Sequence, residues 1–418
     1  QDMVGQGWRM LIECLSEGRG ISLPSVSTAC AKVMYRMTGA YAKIRQQFKL
    51  PISQFEGVRT GLADIAGKSY MMVAMRKFVA GAVQDGLSPS IASAIAKYHM
   101  TEMARDMVIT SMDIHGGKAL QAGPSNYIVP SYLNAPVGIT VEGANILTRS
   151  LIIFGQGAVR CHPYLLQEMK ILNNADADQV DKFDEVLMRH IGSALANVSR
   201  VILYGLSCGL LIRSKAPKPV KKYVKQITRM STALAVLADM TFLVLGGRIK
   251  RKENLSARLG DVMSYTLIAS SVLKFYSDHG FDKSHKDYVE WSVRYCLWKT
   301  QDAIIQFLDN FPVRWMAWIL KAMILPLGRT YHRPYDRDNE KIVRPMLELS
   351  EIRENITKNC YVDKGNNNPK AVVEEVFEMS LKLSPLIKHW SRLRAKKLVP
   401  AFGDLKDRVA QAVKDQHL

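Results

Sequence analysis

No two of the six cysteines (Cys14, Cys30, Cys161, Cys208, Cys296 and Cys360) form a CxxC pair, and no histidine stands beside them at metal-ligand spacing. That scatter argues against a disulfide framework and against a zinc site, and it suits a reducing cytoplasm. Long hydrophobic runs are missing too. A bilayer span needs about 18 to 20 consecutive apolar residues; the best stretch, Thr232 to Gly247, is shorter and carries Asp239. The opening Gln1-Asp2-Met3 has no signal-peptide pattern and reads as a cut end. Acidic residues are in short supply: 38 Asp and Glu face 57 Lys and Arg, a net charge of +19. Residues 1–162 hold 16 basic and 10 acidic side chains, and residues 163–418 hold 41 and 28. Such a surface suits an anionic partner: nucleic acid, acidic lipid or a phosphate-bearing cofactor.

What is present reads as helix. The 418 residues, 48% hydrophobic and 23% charged, have the balance of a folded protein of two or three domains. Leu23 to Gln47 keeps apolar or small residues at helical intervals, with Pro24 expected in the first turn. Further helices are expected over Ile52–Asp85, Pro89–Ser111, from Glu142 to about Gly155, and in stripes over Val180–Val201, Val220–Leu245 and Leu255–Phe275. Residues 118–138, with Pro124, Pro130 and Pro136, read as loop, and nothing alternates enough to predict a sheet. We therefore expect an all-α protein: an antiparallel four-helix bundle over about residues 5–160 and a helical extension packed against it.

One stretch stands out, Ile139 to Arg149, ITVEGANILTR, in which Glu142 sits between Val141 and the bare backbone of Gly143. A carboxylate near a helix start suits the dipole, so alone the motif decides nothing. Its company does. Ile44–Phe48 (IRQQF), Ile114–Lys118 (IHGGK), GRGISLPS at Gly18–Ser25 and GGKALQAGPSNY at Gly116–Tyr127 precede it in order. ITVEGANILTRSLIIFGQGAVRCHP (Ile139–Pro163) and LGGRIKRKENLSARLGD (Leu245–Asp261) complete the set. Together they resemble the acyl-CoA dehydrogenases, and most closely the large bacterial fatty acyl-CoA dehydrogenases of β-oxidation. The resemblance covers essentially the whole chain. It divides it into the family's C-terminal helical domain, 1–162, and a bacterial-type C-terminal extension, 163–418, of unestablished role.

The resemblance implies FAD-dependent oxidation of a fatty acyl-CoA to its trans-2-enoyl-CoA. Glu142 matches the family's base, which removes the proton alpha to the thioester, and Gly143 follows as expected. An apolar pocket would make such a carboxylate more basic. Arg45, Gln47 and Phe48 match the segment that reaches FAD across a subunit contact, and Gly116 and Gly117 match the pair beside the flavin's phosphates. Arg19 approximates an arginine near the substrate. Departures are Lys49 where the family often has Gly, Asp113 for Gln, and Ala144 and Ile146 for hydrogen-bonding residues. No metal is implied. The family also places an N-terminal helical domain and a β-domain before this point, so the chain reads as the back half of an enzyme. A homo-oligomer and an acceptor such as electron-transfer flavoprotein are implied as partners.

Other readings stay in view. His115, His162 and Cys161 suit structural roles better than a catalytic dyad. Nucleic-acid binding lacks interleaved aromatic and basic residues. Residues 311–329, with Trp315 and Trp318 among basic residues, suit either a buried helix or an anionic membrane surface. The last would place the protein in the cytoplasm, peripheral on the inner face of a bacterial inner membrane. A basic helical membrane or scaffold module without activity is the alternative to an enzyme.

Overall fold

The computed structural model describes residues 4–5, 7–157, 162–173, 179–362, 368–399 and 403–415. Cys161 lies outside them. Three long helices dominate the first part: α1 (Gly7–Ile44), α2 (Glu56–Gln84) and α3 (Ser90–His115). Gly20 of α1 abuts Ser93 of α3, and Tyr41 stacks on His115, so α1 and α3 run parallel. Gly61 meets Thr110 and Ile114, so α2 runs the other way, packed against both. Small residues at these crossings let the backbones approach closely.

Local details differ from the expectations in three places. Helix α1 begins at Gly7 and runs through Pro24, which lies inside it and not in its first turn. The expected loop over 118–138 contains two helices, α4 (Gly117–Leu120) and α5 (Val129–Thr140), because Pro130 falls at the start of α5, where its missing N–H costs nothing. A two-residue hairpin pairs β1 (Gln46–Gln47) with β2 (Leu50–Pro51), too short to show alternation. Its turn residues Phe48 and Lys49 have φ of 50° and 66°, the left-handed region that glycine adopts more easily than either.

After the Glu142 turn the chain forms α6 (Asn145–Leu147), which continues as a π-helix over Thr148–Gln156. The rest is helical: α7 (Leu165–Asn173), α8 (Gln179–Leu206), α9 (Lys218–Leu245), α10 (Glu253–Asp278), α11 (Lys286–Asp309) and α12 (Arg314–Ile324). Shorter helices follow: α13 (Asp336–Met346), α14 (Glu351–Thr357), α15 (Pro369–Lys382), α16 (Ser384–Ala395) and α17 (Leu405–Lys414). Lys218–Arg251 is long and apolar enough to cross a membrane by composition, yet its Met230, Val236 and Leu237 are buried in the core.

The extension is not a separate ball. One large core runs from Met34 and Tyr70 through Leu259 and Trp291 to Ile342, with a small satellite at Leu393, Val399 and Ala412. Helix α10 packs on both α2 and the π-helix, so the bundle expected over 5–160 is completed in part by the extension.

Candidate active site

The turn that follows α5 decides where Glu142 points. Val141 ends α5 in extended backbone, then Glu142 and Gly143 take φ of 53° and 95°. A non-glycine residue in the left-handed region is held there against its own preference. For Gly143 the conformation, not crowding, demands glycine: a Cβ would find Thr148 Oγ1 at 3.5 Å and Arg19 at 3.7 Å, ordinary contacts.

Three elements hold this turn. From α3, Lys97 Nζ donates to the Gly143 carbonyl at 2.6 Å and to Asn145 Oδ1 at 2.7 Å. Asn145 in turn donates to Thr101 Oγ1 at 2.9 Å and to Glu102 Oε1 at 2.7 Å. From α1, Arg19 is 3% exposed; burial lowers its pKa and the Glu142 carboxylate offsets part of that. The Ser22 hydroxyl lies 3.2 Å from Glu142 Oε1 but 2.7 Å from Gly18 O, and it has one proton to give. Glu142 Oε2 is buried with no hydrogen-bond partner among the described residues. The apolar surroundings expected for the carboxylate are thus replaced on one side by two cations.

The other side is apolar. A cavity of about 600 Å³ lies between α1, α3 and α5, with Leu23, Val33, Val108 and Val137 in its wall. Leu23 adjoins Ser22, and Thr101 shares both the cavity wall and the hydrogen-bond network of Asn145. The arrangement is a buried carboxylate oxygen, without a hydrogen-bond partner among the described residues, on the turn that follows α5, one wall of a greasy slot.

The extension supports the turn from behind. Arg149, the last residue of ITVEGANILTR, donates to Asp261 of α10 at 3.0 and 2.6 Å. Gly260 lies against Arg149 O and Ile153, and Gly155 against Ser256. The motif Leu245–Asp261 therefore ends in direct contact with the segment carrying Glu142.

The remaining expected residues gather elsewhere. Arg45, Gln47 and Phe48 are exposed on the hairpin, with Phe48 88% exposed. Gly116 and Gly117 are exposed at the end of α3; Gly116 has φ of 58°, and a Cβ on either glycine would meet nothing within 4 Å. This end of α1 lies roughly 39 Å from Arg19 at 1.5 Å per helical residue. One chain does not bring the two groups into a single site.

His115 is structural: its ring nitrogens lie 2.7 Å from Ser111 O and 2.8 Å from the Tyr127 hydroxyl, and burial lowers its pKa to about 4. His162 anchors a network instead of a dyad. Its Nε2 lies 2.8 Å from Asp239, while His190 bridges Asp239 and Glu168 at 3.5 and 2.7 Å. His162, His190 and Asp239 have donor atoms within 4.8 Å of one another, a metal-like grouping invisible in the sequence spacing. However, His162 Nδ1 accepts from the Tyr164 and Leu165 amides at 3.2 Å, so Nε2 carries the proton given to Asp239 and is not a free ligand. Sequence reasoning missed Lys97. Its signal was there: a lysine on the face of α3 that carries Ser93, Ala94, Met100 and Ala104, all buried.

Comparison with known proteins agrees with this picture. Residues 5–153 match the model of the acyl-CoA dehydrogenase C-terminal domain, and residues 159–418 match that of the bacterial-type acyl-CoA dehydrogenase C-terminal region. A probable acyl-CoA dehydrogenase, FadE10 of Mycobacterium tuberculosis, is 27% identical over 122 residues, 29% of this chain and 19% of that protein. Mitochondrial isobutyryl-CoA dehydrogenase of Bos taurus is 27% identical over 150 residues, 35% of each. A solved acyl-CoA dehydrogenase from Bacillus anthracis, complexed with FAD, shares the fold at a TM-score of 0.61 and 18% identity, over 82% of this chain and 57% of that one. The chain spans well under two thirds of each of these relatives. With a family model matched over more than half its length, this chain belongs to the acyl-CoA dehydrogenase family.

Proposed function

We propose that this chain supplies the helical, base-bearing part of an enzyme that oxidises a fatty acyl-CoA to the trans-2-enoyl-CoA, the first oxidation of β-oxidation. The observation that carries the reading is the buried Glu142 Oε2, unpartnered among the described residues, on the turn that follows α5, a wall of the apolar cavity. Glu142 accepts the alpha proton, and the cavity between α1, α3 and α5 takes the acyl chain. Arg19 stands beside the carboxylate, and the Glu142 backbone N–H faces the developing enolate oxygen as a donor.

FAD fits the residues at the far end of the bundle: an exposed cation and aromatic ring at Arg45 and Phe48, Gln47 between them, and open glycine backbone at Gly116 and Gly117. When bound, FAD supplies the acceptor for the hydride leaving the beta carbon. Because this end lies far from Glu142, we infer that Arg45, Gln47 and Phe48 serve a cofactor held by a second copy, in a homo-oligomer. Electrons would then pass to an acceptor such as electron-transfer flavoprotein.

The test is Glu142→Gln in the FAD-loaded enzyme that contains this chain. Packing is kept but the proton acceptor is lost, so anaerobic flavin reduction by acyl-CoA should slow by about 10² to 10⁴-fold with substrate binding retained. Reduction at the wild-type rate would refute the assignment.

We also propose a peripheral location on the cytoplasmic face of a bacterial inner membrane. Helix α12 buries Ala317, Leu320 and Ile324 but leaves Trp315 and Trp318 61% and 67% exposed, with Leu210 and Leu211 also exposed near the exposed Lys215 and Lys218. Aromatic rings beside lysines suit an anionic headgroup layer. Co-sedimentation with acidic vesicles should fall when Trp315 and Trp318 become Ser; equal pelleting would overturn the location.

A further inference from the structure

Lys97 is 0% exposed, yet it is a lysine, and no expected role in the reaction uses it. A buried ammonium is costly unless its donors are filled. Here they are spent on the backbone of one turn, at the Gly143 carbonyl and at Asn145, whose side chain is tied back to Thr101 and Glu102 of the same helix. The turn is the one that forces Glu142 into a left-handed conformation.

We propose that Lys97 is the positioning residue for the base: it clamps the Glu142–Gly143 turn and so fixes where the Glu142 carboxylate is held. The inference rests on Glu142 being the base. The charged groups that act on Lys97 are Arg19 from α1, Glu142 from the turn and Glu102 from α3. Burial, then Arg19, lowers the Lys97 pKa to about 8, and the two carboxylates pull it back up. The ammonium form therefore persists through neutral pH. Without Lys97, the Gly143 carbonyl keeps, among the described residues, the Thr148 hydroxyl at 3.3 Å, and α3 holds the turn through Asn145 alone.

The experiment compares Lys97→Met, Lys97→Gln and Asn145→Ala in the FAD-loaded enzyme that contains this chain. Proton removal is read alone with an acyl-CoA in which sulfur replaces the beta carbon, a probe that loses an alpha proton but yields no hydride. Lys97→Met should slow that step about 10 to 100-fold, as expected for a misplaced base, with the KM for acyl-CoA nearly unchanged. Lys97→Gln, which keeps a donor, should show a smaller loss of rate. Asn145→Ala should also slow the step with the KM nearly unchanged, and it decides the matter if the Lys97 variants fail to fold. A wild-type rate in Lys97→Met, or in Asn145→Ala when it alone folds, overturns the clamp. Loss of activity in Glu142→Gln together with wild-type behaviour in these variants would sink this inference and leave the base assignment standing.

Discussion

Gly67 of α2 lies flat against the indole of Trp291 in α11, so closely that a Cβ on Gly67 would sit 2.1 Å from the ring. Trp291 is 1% exposed, and its Nε1 donates to Asn339 Oδ1 at 2.8 Å. This contact joins the bundle to the extension through the middle of the core. It is why the two parts behave as one packed body.

The first prediction follows from that overlap. Gly67→Ala must displace Trp291 or bend α2, and overpacking of this kind costs about 1 to 3 kcal/mol or more. Chemical denaturation should show the loss, and Trp291→Phe in the same chain should recover part of it. Unaltered stability of Gly67→Ala would mean that the halves slide freely on one another.

A second prediction concerns a buried ion cluster. Arg353, 0% exposed, donates to Glu374 through two bonds of 2.9 Å, and Arg36 of α1 reaches the same carboxylate at 2.8 Å. Burial alone would raise the Glu374 carboxyl, but the Arg353 and Arg36 charges outweigh it and hold the pKa below its ordinary 4.5. A depressed carboxylate stabilises the fold above its unfolded pKa, and that contribution is lost as pH falls through the folded value. Glu374→Gln leaves the Arg353 and Arg36 guanidinium groups with the half-exposed Glu354 as their carboxylate partner and should cost about 3 to 5 kcal/mol at pH 7. The difference between the variant and the parent should shrink on acidification below pH 4.5, as followed by urea unfolding. A constant difference across that range would refute the assignment.

The third prediction uses a buried histidine with an orphan nitrogen. His99 is 5% exposed, its Nε2 has no hydrogen-bond partner among the described residues, and burial lowers its pKa to about 4. A base whose folded pKa is depressed opposes folding as pH falls: the penalty starts below the unfolded value near 6.5 and is complete below about 4. Its full size is about 3 kcal/mol. His99→Phe, which keeps a ring against Tyr265, should flatten the fall in melting temperature between pH 6.5 and 4. Equal slopes for the two proteins would show that His99 is not among the groups that titrate on unfolding.

The sequence by itself determined the long helices up to Phe275, because a 3.6-residue repeat is written into those segments. It also determined the ordered motifs that mark the family, and with them the identity of Glu142 as the residue to examine. Proline is the exception to this legibility: helices run through Pro24 and Pro136, although its local preference is to break one. Only the tertiary structure decided what surrounds Glu142. Nothing in spacing tells that Lys97 reaches Gly143 across 46 residues, or that Asp261 of the extension grips Arg149 across 112. The same holds for His162, His190 and Asp239, which meet only when α8 and α9 pack. Helical periodicity specifies which face is buried but not which partner it meets, and a site made of side chains from several helices depends on the partner.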